Sequence, residues 1–158
     1  MKAVVEWKGE MAFTGLASSG IPIDMDSDPS LGGTGRGVRP MELIAMGLAG
    51  CMAMDVLSIL LKKKQNLTSY QVNIDAPRFP DYPKVFTSAV ITFVLAGRDL
   101  EESALLRSIE LAATKYCPAH AMLAKAFPIT MAYEIHQDDD NGSQLKHQGT
   151  CQVFSQSE

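Results

Sequence analysis

The chain has 158 residues, 46% of them hydrophobic, enough for one buried core and too few for two comfortable ones. A formal net charge of −4, with no basic run beyond Lys62-Lys63-Lys64, argues against nucleic acid as a partner. Three cysteines, Cys51, Cys117 and Cys151, and an N-terminal stretch interrupted by Glu6 and Lys8 argue against a disulfide framework or a leader segment, and fit a reducing, cytoplasmic compartment.

Residues 3–7 and 11–16 read as short strands joined by Lys8-Gly9-Glu10, and 21–25 as a third. Residues 26–39 follow as a loop with four glycines. No Gly-Lys-Ser/Thr ends it, so it reads as a flexible connection rather than a phosphate loop. Pro40 suits the first helical position, Glu42 the first turn and the three lysines the last, so residues 40–64 are expected to be helical. That helix is apolar almost all round, which predicts burial on most sides. Asp55 and Ser58 make a membrane span the poorer reading. Gly47 and Gly50 weaken the helix and suit close approach of another backbone.

Residues 70–76 alternate apolar and polar as a half-buried strand does, and 85–95 are rich in β-branched residues and phenylalanine. A second helical segment runs to about residue 127, with Asp99 and Glu102 spaced as a capping box. Pro118 must kink or restart it. Residues 129–135 form a last strand, and the polar run after His136 predicts a mobile tail over 137–158, with Val153-Phe154 its one apolar point. The expectation is one α+β domain over 1–136, with mostly antiparallel sheets packed on two long central helices. Helix one needs cover on several sides, which predicts a homodimer.

Cys51 lies mid-helix among small residues, with Asp55 at i+4 and Ser58 at i+7 on nearly one stripe. Alone it reads as an ordinary buried cysteine. Cys117, in Lys-Tyr-Cys-Pro-Ala-His, occupies the N-cap if the helix restarts at Pro118. Unpaired N–H groups then face its sulfur and favour the thiolate. His120 is placed to share its face, while His136 and His147 carry no motif. Zinc ligation by Cys51, Asp55, Cys117 and His120 ranks below a redox pair, since no Cys-x2-Cys spacing is present.

Pro-Met-Glu-Leu-Ile-Ala-Met-Gly-Leu-Ala-Gly-Cys51 resembles the first-cysteine helix of the OsmC/Ohr family, and Tyr116-Cys117-Pro-Ala-His its second-cysteine segment. The element order extends this resemblance over residues 1–136, and Gly-Cys-Met-Ala-Met-Asp looks most like the YhfA-like branch. The resemblance implies an intertwined homodimer that reduces organic hydroperoxides or hydrogen peroxide in oxidative or osmotic stress. It implies Cys51 as peroxidatic thiolate, Cys117 as resolving thiol, an external dithiol as reductant, and no metal or organic cofactor. Two departures stand out. Family members carry Glu directly after the helix-opening proline, where this chain has Met41, and Glu42 points about 100° away. They also carry an arginine in an N-terminal strand, whereas the first arginines here are Arg36 and Arg39. Arg36, Arg39 or a partner subunit would supply that cation. The competing function is a non-enzymatic dimer that senses oxidants or binds a small apolar ligand.

Overall fold

The computed structural model describes residues 1–140 and 142–151. The strands form two separate sheets, and the chain divides into two compact units, Met1–Met46 and a second beginning at Gly47.

The first unit carries β1 (Ala3–Gly9), β2 (Ala12–Ala17) and β3 (Pro22–Met25) as an antiparallel sheet in sequential order. Glu10, at φ 47°, and Gly9, at φ 105°, turn the first hairpin. The glycine-rich segment that follows is folded around Asp26, not a loose connection. The Asp26 carboxylate accepts hydrogen bonds from the Ser27, Thr34 and Arg36 backbone N–H groups and from the Thr34 hydroxyl. Backbone packs tightly here: a Cβ on Gly33 would lie 2.0 Å from the Ser27 carbonyl oxygen, and one on Gly37 2.6 Å from the Met25 carbonyl carbon. Two of the four glycines therefore serve close approach rather than flexibility.

α1 (Pro40–Lys62) starts with Pro40 and closes with Lys62, as its terminal charges predict. It ends without glycine. Lys64 takes the left-handed conformation at φ 56°, and the Gln65 and Lys64 N–H groups return to the carbonyls of Leu60 and Leu61.

In the second unit β4 (Asn66–Asp75), β5 (Ala89–Arg98), β6 (Ile129–Asp139) and β7 (Gly142–Cys151) pair in that order. β4–β5 and β6–β7 are antiparallel, but β5–β6 is parallel. The sheets are thus mostly antiparallel, as expected, with this one parallel pair. β5 and β6 are joined by a helical crossover, the connection parallel neighbours require. Along β5 the buried side chains alternate: Ala89, Ile91, Phe93, Leu95. They join Met131, Tyr133 and Ile135 of β6 and Leu48, Met52, Val56 and Leu60 of α1 in one core.

Two long helices were expected and one is found. The second helical segment is α2 (Glu102–Leu111), a π-helical turn (Ala112–Tyr116) and α3 (Pro118–Leu123). Pro118 has no N–H to continue the ladder, and the Cys117 N–H reaches back five residues to the Ala112 carbonyl at 2.8 Å. The capping box does not form. Asp99 sits at φ 52°, Glu101 is the N-cap without a side-chain bond, and the Glu102 carboxylate accepts from the Tyr133 hydroxyl at 2.6 Å.

The mobile tail is corrected for residues 142–151, which pair with β6 residue by residue from Asp139↔Gly142 to Met131↔Cys151. Their polarity misleads because β7 is an exposed edge strand held mainly by backbone bonds. Val153-Phe154 lies outside the described residues. β5 begins at Ala89 rather than 85, because Val85 accepts from the Phe79 N–H and Phe86 bridges Arg78 in the preceding turn.

Candidate active site

Cys51, Asp55 and Cys117 meet in the second unit, with their sulfur and carboxylate oxygen atoms all within 4.8 Å of one another. Cys51 and Asp55 are one helical turn apart on α1 and share a face. Both are partly buried, and Cys117 is 2% exposed. The three cysteines are free thiols.

Cys117 reaches this position because Pro118 breaks the helix. Its backbone, at φ −78° and ψ 106°, turns the side chain back over α3, and its sulfur accepts from the His120 N–H at 3.4 Å. This is the N-cap geometry expected from the sequence. Its electrostatic consequence is not the expected one. Burial, then the neighbouring Cys51 side chain, push its pKa up to about 12, over the opposing pull of the His120 N–H. A thiol with almost no water access loses more by desolvation than one N–H can return. Burial therefore keeps Cys117 in its thiol form.

His120 is buried and its Nδ1 donates to the Ala113 carbonyl at 3.0 Å. Burial holds its pKa below the ordinary histidine value. The ring ties α3 to the π-helical turn that positions Cys117. Ser58 is exposed and stands outside the cluster.

Arg36, Arg39 and Glu42 belong to the first unit. Arg39 forms ion pairs with Asp28 at 2.9 Å and Glu42 at 3.0 Å. Glu42 also accepts from the Arg39 N–H at 2.9 Å, capping the start of α1. Those hydrogen bonds hold the Glu42 carboxyl below its usual range and the Arg39 guanidinium above its own. Met41 takes no part in these bonds, and Arg36 is held through its backbone N–H by Asp26.

Two supports escaped sequence reasoning. The Tyr70 hydroxyl on β4 donates to the Ala53 carbonyl at 3.1 Å and anchors α1 beside Cys51. Asp26 organises the glycine-rich loop, where the run of acidic and hydroxyl residues was the available signal. Cys151 lies on β7 opposite Met131, with burial raising its pKa.

The sequence model of the OsmC-like protein family matches residues 33–132, and the chain belongs to that family. It is similar to Protein YhfA of Escherichia coli K12, with 38% identity over 135 residues, covering 85% of this chain and 98% of that protein. A hypothetical protein from Aquifex aeolicus is 25% identical, with a TM-score of 0.76 over 87% of this chain and 97% of its own. An organic hydroperoxide resistance protein from Legionella pneumophila has the same fold at 16% identity, with a TM-score of 0.64 over 84% and 96% of the two chains.

Proposed function

We propose that this protein is a thiol-dependent hydroperoxide reductase that works through a Cys51–Cys117 disulfide cycle, as a homodimer in a reducing, cytoplasmic compartment. The observation that carries the reading is the pair of sulfurs within 4.8 Å, one buried on the restarted helix and one partly open on α1. Cys51 is the more accessible sulfur, and so the one a peroxide can reach.

The Cys51 thiolate attacks one peroxide oxygen, the O–O bond breaks, and the alkoxide leaves as an alcohol with a proton from solvent. Cys51 becomes a sulfenic acid. The Cys117 sulfur then attacks the Cys51 sulfur, the S–S bond forms and hydroxide leaves. The Cys117 proton completes a water molecule, with Asp55 within reach of both sulfurs to relay it. An external dithiol reduces the disulfide. Conversion of Cys51 to the uncharged sulfenic acid removes one of the influences that keep Cys117 protonated, so resolution is eased by the step before it. Membership of the OsmC-like family supports this reading. The three free cysteines suit the reducing compartment.

The homodimer reading is supported by α1. It is apolar along its length, yet only 28% of its most apolar stretch is buried within this chain, and Met54 and Leu61 stand exposed at mid-helix and end. Gly47 and Gly50 meet nothing within 4 Å of where a Cβ would sit, so the close approach expected there is not made within the described residues.

The test is a thiol count after adding an organic hydroperoxide to the reduced chain. Two of the three thiols should disappear per peroxide consumed, with turnover when a dithiol is supplied. Cys51→Ser should abolish consumption. Cys117→Ser should permit one oxidation per chain and no Cys51–Cys117 disulfide. An unchanged thiol titre rejects the reductase, and leaves a sensor of other oxidants or an apolar-ligand binder.

A further inference from the structure

The half-buried Asp55 carboxylate has no hydrogen-bond or ion-pair partner among the described residues, yet it lies within 4.8 Å of two sulfurs. We infer that reduced Cys51, reduced Cys117 and Asp55 form a redox-gated site for a thiophilic divalent cation of the zinc type. Two thiolates on one tetrahedral zinc, each at about 2.3 Å, sit about 3.8 Å apart. The three donor atoms fall inside the spacing one ion can span. Thiolate and carboxylate are both established zinc donors, and three protein ligands leave a fourth position for water.

The donors come from two elements whose meeting is decided by packing. Cys51 and Asp55 are presented one turn apart by α1, and Cys117 is delivered by the break at Pro118. No short ligand spacing exists in the sequence, which is why zinc ranked low there.

Binding exchanges the two thiol protons for metal–sulfur bonds, so two protons are released per cation and apparent affinity rises with pH. Oxidation by a hydroperoxide removes two electrons from the sulfurs, reduces the peroxide to alcohol and water, and converts both donors to a disulfide that no longer ligates. The cation is expelled. A dithiol restores the site. A bound cation in turn slows, without preventing, attack by peroxide on the two sulfurs. This inference uses the same residues as the proposed reductase but does not need turnover.

Cobalt titration of the tag-free, metal-stripped, reduced full-length chain under nitrogen tests it. Expected are sulfur-to-cobalt charge-transfer absorption and the visible bands of tetrahedral cobalt, saturating at one per chain and displaced by zinc. Oxidation with diamide should abolish them. Cys51→Ser, Cys117→Ser and Asp55→Asn should each weaken binding on the order of tenfold or more, and Cys151→Ser should change nothing. Circular dichroism checks the fold, and Cys117→Ala stands in if Cys117→Ser misfolds. Absence of charge-transfer absorption in the wild-type chain overturns the site, as does loss of it in Cys151→Ser. Unaltered affinity in Asp55→Asn overturns the three-donor set. The thiol count with hydroperoxide reads the reductase separately, so either idea can fail alone.

Discussion

Cys117 stands under two opposed influences, the N–H of His120 that favours its thiolate and a buried surround that forbids it. Burial prevails, and this has a consequence for stability. The thiol pKa is about 12 in the folded chain against an ordinary value of 9.0. The folded state therefore holds this proton where the unfolded chain has lost it. Its contribution is intact below pH 9.0 and declines as pH rises toward about 12. Chemical denaturation followed from pH 8 to 11 should show this loss in the wild type and a shallower slope in Cys117→Ala. Asp26 acts in the opposite direction. The Thr34 hydroxyl, then backbone N–H groups, hold its pKa at about 2 against an ordinary 3.8. Its contribution is present above pH 3.8 and lost as pH falls toward about 2. Asp26→Asn should flatten that acid limb and, at neutral pH, speed proteolysis within residues 26–39.

Among the elements, α1 and the broken second helix divide the work. α1 carries Cys51 and Asp55 one turn apart on one face. The second helical segment is interrupted where Cys117 must turn inward, and its π-helical turn, clamped by His120 to Ala113, sets that turn. The end of α1 is less well made, because Lys64 occupies a left-handed position at φ 56° that glycine fills without strain. Lys64→Gly should raise stability by about 1 kcal/mol, read as a higher denaturation midpoint with unchanged thiol chemistry. Much of this level was legible. Pro40, the three lysines and Pro118 marked the helix boundaries by local chemistry. β7 was not legible, since an edge strand held by backbone bonds need not be apolar. The capping box also failed, because Tyr133 on a distant strand competes for Glu102.

For the whole molecule, the proposed homodimer rests on apolar area that a single chain leaves uncovered. Met54 is 74% exposed in the middle of α1, in a helix otherwise built for burial. Light scattering should report a mass of twice 17.1 kDa, and Met54→Lys should shift the population toward monomer, since a charge in an apolar interface costs more than its own contacts contribute. A wild-type mass of one chain at micromolar concentration would overturn the dimer.

Local chemistry written in the sequence determined where α1 begins and ends, where the second helix breaks, and that Cys117 caps the restart, because proline and end charges act on their immediate neighbours. Family resemblance singled out the two cysteines as a pair. Tertiary structure alone decided that their sulfurs and Asp55 converge, that burial rather than the helix end governs the Cys117 proton, and that His120 braces the turn. Those outcomes depend on desolvation and on distances between residues far apart in the chain, which packing sets and no local pattern encodes.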